Sequence, residues 1–298
     1  MGLVVWAQLE DEQNVEDVIR AVNMPLLAVG NPGPTAGALA TRLDVPPLND
    51  LRAIPDGSTT LLLLTEDEVT AESLNPWTSS SQQIFTTGQF PTEPAEASLL
   101  RDRVRLAPRF LRSDGFRAAL DLLESSPAPR TMHADFSGNA ATDSRPLLID
   151  ALDTLHHLGG VVSSLRAKQE TPDSGRISVL LKHESGAIST IRSDANTPVF
   201  RRQLTVSSPE HLLEISAFGF LAYAHDGLDE SGASRSCEPS LGAAAGSTIA
   251  RFQHAGEEGR GPADLIWLGL LQAGIDLSLR TGDTVRPVDI AAMHGIRL

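Results

Sequence analysis

The first part of the chain alternates short apolar runs with segments of helical period. Helical spacing of apolar positions occurs at residues 15–22, 35–43 and 94–104. Four further runs are apolar on both faces, as strands of a parallel sheet are when both faces are covered: residues 3–6, 26–30, 59–65 and 83–88. Alternating strands and helices predict a doubly wound α/β layer.

The pattern changes after a helix predicted for residues 114–126. Seven short segments then follow at hairpin spacing and predict an antiparallel meander: residues 130–138, 161–168, 176–186, 187–193, 200–208, 211–219 and 220–225. Two amphipathic stretches predict helices at 146–160 and 265–282. Residues 227–262, rich in Gly, Ser, Ala and Glu, predict a long exposed excursion.

This change of pattern divides the chain into two predicted domains. A length of 298 residues is enough for two hydrophobic cores. We expect a Rossmann-like α/β domain at residues 1–112. Residues 113–298 are expected to form an α+β domain with a large, open, mainly antiparallel sheet.

Charge and cysteine content narrow the class of partner. A formal net charge of -14 opposes binding to nucleic acid or to an anionic membrane, so a small molecule or another protein is the expected partner. Cys237 is the single cysteine and excludes an intrachain disulfide. The N-terminus lacks the basic residues of a signal peptide, and no apolar run approaches the ~20 residues of a membrane span. We therefore expect a cytoplasmic protein.

The turn after the first strand carries acids where a dinucleotide site carries glycine. Such a turn holds a pyrophosphate against a helix N-terminus, and glycine permits the close approach. Here no glycine occurs between Gly2 and Gly30, and the turn contains Glu10, Asp11 and Glu12. Acids suit a helix N-terminus, each by about 0.3–1 kcal/mol, but they repel phosphate. The same acids are also typical of an ordinary solvated helix start.

The order of several segments resembles a known family. Six segments carry the resemblance: LLAVGNPGPTAGALATRLDVPPLNDL (26–51), TTLLLLTE (59–66), RLAPRFLRSDGFRAALDLLES (105–125), DALDTLHHLGGVVSSLRAK (150–168), SGAISTI (185–191) and LQAGIDLSLRTGDTVRP (271–287). In this order and spacing they resemble the Gfo/Idh/MocA family of oxidoreductases. The resemblance implies a Rossmann-like domain, an open-sheet domain, NAD(P) chemistry and a homodimer formed through the sheet.

The functional residues that the resemblance implies are mostly replaced. The family's GxGxxG fingerprint is absent, and Asn31 stands where an acid binds the ribose. The Glu-Lys-Pro motif aligns with Thr87 and the two residues after it, so its lysine is missing. Asp150 aligns with the acid/base histidine, with Asp153 and His157 farther along the same helix. The remaining candidates for cofactor contacts at strand ends are Asn31, Thr65 and Thr87.

Three hypotheses follow. The first is a family homologue that has lost ordinary NAD(P) binding and is noncatalytic, acting in binding or regulation, with no cofactor expected. The second is an atypical NAD(P)-dependent oxidoreductase for a sugar or polyol, with Asp150, Asp153 or His157 transferring the proton. The third is a cofactor-independent lyase or hydrolase that uses the carboxylates of the cleft. A solvated helix face or a helix cap is the ordinary alternative for Asp150 and Asp153, and no set of metal ligands is identified.

Overall fold

The chain forms two compact units. The computed structural model describes residues 2–7, 11–30, 36–50, 54, 59–64, 70–74, 83–87, 94–100, 104–107, 109–125, 130–139, 145–171, 175–209, 211–217, 219–224, 227–231, 240–255 and 264–296. The first unit consists of Met1–Pro91, Glu96–Arg109 and Ser240–Leu265, and the second of Thr92–Ala95, Phe110–Pro239 and Ile266–Leu298.

The first unit contains a six-stranded parallel sheet in the order β3-β2-β1-β4-β5-β6. Its strands are β1 (Gly2–Trp6), β2 (Leu26–Gly30), β3 (Pro47–Leu48), β4 (Thr59–Leu63), β5 (Gln83–Thr86) and β6 (Val104–Leu106). The helices between them in the chain are α1 (Glu12–Ala21), α2 (Ala36–Arg42), α3 (Ala71–Leu74) and α4 (Pro94–Leu100). This order is that of a Rossmann-like sheet, and the predicted doubly wound α/β layer is confirmed.

Burial explains why the apolar runs form the central strands. Leu3, Val4 and Val5 of β1 are all fully buried, which requires cover on both faces of the sheet. The helix predicted for residues 94–104 is wrong at its end, because Val104 begins β6. From there the side chains alternate between buried and half-buried positions, and this two-residue period belongs to a strand.

Part of the predicted exposed excursion is a helix in the core of the first unit. Helix α8 (Leu241–Ala255) contributes Ala245, Ile249 and Phe252 to the apolar cluster that also contains Val15 of α1. Phe252 meets a phenylalanine of β5 edge to face, with 5.5 Å between ring centroids. A division of the chain at residue 112 assigns this helix to the second domain, whereas its contacts are in the first unit.

Two glycines let α8 lie close to α1. A methyl group at Gly242 would overlap the backbone of Asn14, and one at Gly246 would lie 2.7 Å from the Cβ of Ala21. The Gly242 N–H donates to Asn14 Oδ1 at 3.2 Å, and the Ser240 hydroxyl bonds to Asp17 at 2.5 Å. The small residues whose abundance predicts a loop therefore form the contact surface of a helix.

The second unit contains an eight-stranded sheet in the order β14-β13-β12-β11-β7-β10-β9-β8. Its strands are β7 (Thr131–Asn139), β8 (Val162–Gln169), β9 (Arg176–His183), β10 (Ile188–Asp194), β11 (Asn196–Ser207), β12 (Leu212–Ser216), β13 (Phe220–Ala224) and β14 (Gly227–Ser231). The helices are α5 (Asp114–Ala118), α6 (Leu120–Ser125), α7 (Arg145–Gly159), α9 (Leu265–Thr281) and α10 (Pro287–Met293), with a 3-10 turn at Phe110–Arg112. The predicted helix at 114–126 is thus two short helices.

The sheet is mainly antiparallel, but the predicted meander is wrong at its centre. Strand β10 pairs with β7 in parallel, and β7 pairs with β11 on its other side. Between β10 and β11 the chain passes the end of β7: Asn196 pairs with Asn139, and after a register shift Arg201 pairs with Ser137. Hairpin spacing predicts neighbours in sequence, and it cannot predict that β7 becomes the centre of the sheet.

The two faces of this sheet differ. Along β9, Ile177, Val179 and Leu181 are buried, whereas Ser178, Leu180 and Lys182 are exposed. Helix α7 packs against β7 and β10. We call the side with the exposed residues of β8, β9 and β10 the open face.

The α1–α8 contact predicts a sharp difference between two glycine substitutions. Gly242→Ala should destabilise the protein by about 1–3 kcal/mol, because the methyl group forces the two helices apart. Gly37→Ala on α2 is the matched control, since its methyl group meets open space and Ala should stabilise a helix by about 0.5–1 kcal/mol over Gly. Urea unfolding of both variants measures the difference, and equal stabilities would contradict this packing.

Candidate functional site

Helix α7 carries the three candidate catalytic residues on one stripe. Asp150, Asp153 and His157 are three and four residues apart, the spacing of neighbours on a helix surface. Their environments differ: Asp150 and Asp153 are only 3% and 4% exposed, whereas His157 in the last turn is exposed. The two acids are therefore not on a solvated helix face, which corrects that alternative.

The carboxylate of Asp150 is held by two contacts within the second unit. Its Oδ2 accepts a hydrogen bond from Nη1 of Arg202 on β11 at 2.9 Å. Its Oδ1 accepts the backbone N–H of Phe110 at 2.7 Å, at the start of the 3-10 turn. Both oxygens thus have partners, and the carboxylate joins three elements of this unit.

Arg202, the partner of Asp150, is not among the residues that the sequence analysis identifies. Its guanidinium carbon lies 5.6 Å from the ring centroid of Phe110 and 5.3 Å from that of Phe200, which is cation–π distance. A signal was present in the sequence. Arg202 lies on the same face of β11 as Leu204 and Val206, which are buried in the core. A charged side chain at such a position requires a buried partner.

Burial and ion pairing change the pKa of Asp150 in opposite directions. Burial raises the pKa of Asp150 above its usual value of 3.8, while the Arg202 guanidinium and the Phe110 N–H pull it back and the nearby Asp153 raises it further. A carboxylate in this setting stabilises a fold by holding Arg202.

The described start of α1 carries two acidic residues. Asp11 is the N-cap residue and Glu12 lies in the first turn. The Glu12 carboxylate forms an ion pair with Arg42 of α2. Glu10 of the same turn lies outside the described residues. In the described part of this turn, one of the two carboxylates is thus held by a cation of α2.

Of the candidate cofactor contacts at strand ends, one can be located. Thr87 follows β5 and is buried, and both its N–H and its hydroxyl donate to the Leu63 carbonyl, at 3.0 and 3.3 Å. The hydroxyl is therefore used in holding β5 to β4. Asn31 and Thr65 lie outside the described residues.

A buried histidine lies at the end of α7. His183 Nδ1 is 2.9 Å from the Gly160 carbonyl oxygen, and its Nε2 is 2.7 Å from the Ser189 hydroxyl. Burial lowers the pKa of His183 below 6.5, the hydrogen bond to Gly160 opposes this change, and His156 adds to it. The group ties the end of α7 to β9 and β10.

Comparison with solved structures shows the fold. An oxidoreductase from Agrobacterium radiobacter, solved with NAD+, L-tartaric acid and magnesium, is 16% identical with a TM-score of 0.74 over 98% of both chains. Levoglucosan dehydrogenase with NADH is 12% identical with a TM-score of 0.76, over 96% of this chain and 98% of that one. An NAD-binding oxidoreductase from Klebsiella pneumoniae is 10% identical with a TM-score of 0.73, over 96% and 98%.

These likenesses confirm the expected fold, a Rossmann-like parallel sheet and a second, mixed sheet. No family model and no curated protein sequence matches the chain. Among the described residues, no three side chains of His, Cys, Asp or Glu come together as metal ligands. No helix in the described part of the chain is long and apolar enough to cross a membrane.

The Asp150–Arg202 pair predicts a strong loss of stability in a single variant and recovery in a double variant. Asp150→Asn keeps an oxygen for the Phe110 N–H but leaves the Arg202 charge buried alone, at a cost of about 3–5 kcal/mol. Replacing both partners, with Arg202→Met in addition, should recover most of this loss. Urea unfolding of the wild-type protein, Asp150→Asn, Arg202→Met and the double variant gives the coupling free energy between the two side chains. A single variant that loses less than about 1 kcal/mol would contradict a structural role.

From the burial of His183 we expect the folded protein to lose stability in mild acid. Because its folded-state pKa is depressed, its contribution is complete above pH 6.5 and is lost as pH falls from there through the folded-state pKa. A loss of about 1 kcal/mol corresponds to a fall in Tm of about 2–4 °C for a protein of this size class. His183→Gln should remove this part of the pH dependence, whereas His294→Gln, at an exposed position, should keep it. Identical Tm profiles for all three proteins would contradict the assignment.

Proposed function

We propose that this chain is an oxidoreductase-type protein of Gfo/Idh/MocA type that has lost ordinary NAD(P) binding and acts in binding or regulation. The observation that carries the proposal is the closed environment of Asp150. This residue aligns with the family's acid/base histidine, yet both its oxygens bind other groups of the protein.

The chemistry of the family's reaction explains why this matters. Oxidation of a hydroxyl requires a group that accepts its proton within hydrogen-bond reach. Asp150 is 3% exposed and neutralises Arg202, so proton exchange with a substrate would leave a buried cation without its partner. The position has a structural use that competes with catalysis.

The first unit supports the same proposal independently. Glu12 and Asp11 provide the negative charge that favours the N-terminus of α1, and Glu12 is in turn held by Arg42. A pyrophosphate at the same place would meet like charges.

The second candidate is an atypical NAD(P)-dependent oxidoreductase, favoured by the likeness over nearly the whole chain to structures that contain NAD+ or NADH. In this case Asn31, Thr65 and Thr87 are the candidate cofactor contacts. Exposed His157, or Asp153 after a rearrangement, would transfer the proton. Levoglucosan dehydrogenase makes a sugar-like substrate the first class to assay.

The remaining expectations stay proposals. They are a small-molecule or protein partner, a homodimer through the second sheet and a cytoplasmic location. A cofactor-independent lyase or hydrolase would need a carboxylate with a free oxygen, and the partners of Asp150 do not favour this third candidate.

Calorimetric titration with NAD+, NADH, NADP+ and NADPH separates the first two candidates. The purified protein is first examined by mass spectrometry for a nucleotide carried over from expression. We expect no carried-over nucleotide and no saturable binding at millimolar concentration, where a binding free energy is weaker than about -4 kcal/mol.

Tight binding of a nicotinamide cofactor would lead to the opposite conclusion. A Kd below about 100 μM, near -5.5 kcal/mol, would overturn loss of cofactor binding and favour the second candidate. His157→Gln would then be the first variant to assay for turnover of levoglucosan and other sugars. Its matched control is His294→Gln, which changes an exposed histidine on α10's C-terminal side.

A further inference from the structure

Arg202 has more hydrogen-bond donors than its contacts in the protein use. An arginine side chain carries five N–H groups. Within the described part of the chain, Arg202 donates through Nη1 to Asp150, and its Nε is buried without a partner. The side chain is only 3% exposed. Because an unpartnered buried donor costs stability, an acceptor placed at Nε would stabilise this part of the protein.

The unpartnered nitrogen and the ion pair lie on different edges of the guanidinium. Nη1 donates to Asp150. Nε and Nη2 form another edge, whose two parallel N–H groups match the two oxygens of a carboxylate. Asp150 does not use this edge, because its Oδ2 accepts from Nη1 and its Oδ1 accepts from the Phe110 N–H. A second carboxylate could therefore bind beside the first without replacing it.

The two aromatic neighbours of Arg202 do not supply the missing acceptor. The guanidinium carbon lies over the rings of Phe110 and Phe200. Such contacts use the π-face of the ring and favour the positive charge as a whole. They provide no oxygen for an N–H group in the guanidinium plane. The rings therefore help to bury the charge and leave Nε unpartnered.

Phe200 is the neighbour past which a ligand can reach the cation. Phe110 is fully buried, whereas Phe200 is half-buried. Phe200 also lies where the pairing of β11 is irregular, since residues 197–200 stand opposite Gly138 alone. Irregular strand segments of this kind redirect side chains and are frequent beside functional sites. A methyl group at Gly138 would come within 3.0 Å of Phe200, so the glycine leaves space for this ring.

We propose that the second unit binds a short aliphatic carboxylate, whose two oxygens accept hydrogen bonds from Nε and Nη2 of Arg202. Phe200 and Leu147 both lie near Gly138, and these apolar side chains favour an aliphatic tail over a charged one. The site rests on the proposed function, because it gives the ligand class of a protein that acts in binding. It does not depend on whether the first unit binds a nucleotide.

Propionate is the probe for this site, and propionamide is the uncharged control of nearly the same shape. Saturation-transfer NMR on the full chain, with the ionic strength held constant by NaCl, measures the Kd of each. We expect saturable binding of propionate in the millimolar range, since Asp150 already balances part of the charge, and no binding of propionamide. Equal affinities for the two compounds, or no saturable binding of propionate up to about 100 mM, would overturn the proposal.

Two consecutive arginines provide matched variants. Arg202→Lys keeps a cation for Asp150 but lacks the edge with two donors, so propionate binding should weaken by about tenfold or more. Arg201→Lys changes an exposed residue on the open face and should leave the Kd unchanged. Equal effects of the two variants would indicate general charge attraction and would argue against a defined site.

Asp150→Asn tests the same site in the opposite direction. Removing the competing carboxylate leaves the Arg202 cation to the ligand, so propionate should bind about tenfold tighter than it binds the wild-type protein. Propionate should therefore also raise the Tm of this destabilised variant more than it raises that of the wild-type protein. Propionamide should have neither effect. A rise in Tm that is no larger in Asp150→Asn would contradict a carboxylate at Arg202.

These experiments use protein without added nucleotide, so that the carboxylate site and the proposed function can fail separately. Absence of propionate binding would overturn the carboxylate site and leave the loss of cofactor binding unaffected. Binding of a nicotinamide cofactor with a Kd below about 100 μM would overturn the loss of cofactor binding. In that case the propionate Kd of Arg202→Lys still decides whether the carboxylate site exists.

Discussion

A carboxylate taken out of water on α7 needs a cation, and Arg202 provides one. The pair is a constraint on the whole second unit, because it fixes α7, the 3-10 turn at Phe110 and strand β11 relative to one another. Arg202 is flanked by Phe110 and Phe200, so that its charge is shielded by rings as well as by the carboxylate. Removing either partner leaves a buried charge, and the pair is therefore retained as a unit.

This constraint also bears on function. A group that shuttles protons must be able to change its charge at a modest energetic cost. The same group cannot do so when its charge balances a buried guanidinium. The carboxylate of Asp150 therefore acts in the framework of the second unit, through its contacts with Phe110 and Arg202.

The first unit shows a comparable ion pair at α1. Asp11 and Glu12 lie at its start, and Arg42 of α2 forms an ion pair with Glu12. On another side, α8 packs against α1 through Gly242 and Gly246. In both units, then, charged side chains on one element are paired with charged side chains on another.

The sequence by itself determined the two kinds of sheet, because buried strands such as Leu3–Val5 and alternating strands such as β9 differ in their period of burial. It also determined that no glycine occurs between Gly2 and Gly30. Only the tertiary structure decided that β7 lies at the centre of its sheet, that α8 belongs to the first core and that Asp150 meets Arg202, 52 residues away. Local periodicity reports which side of an element is buried. It does not report which distant element covers that side, and the choice of a partner for a buried charge depends on that contact.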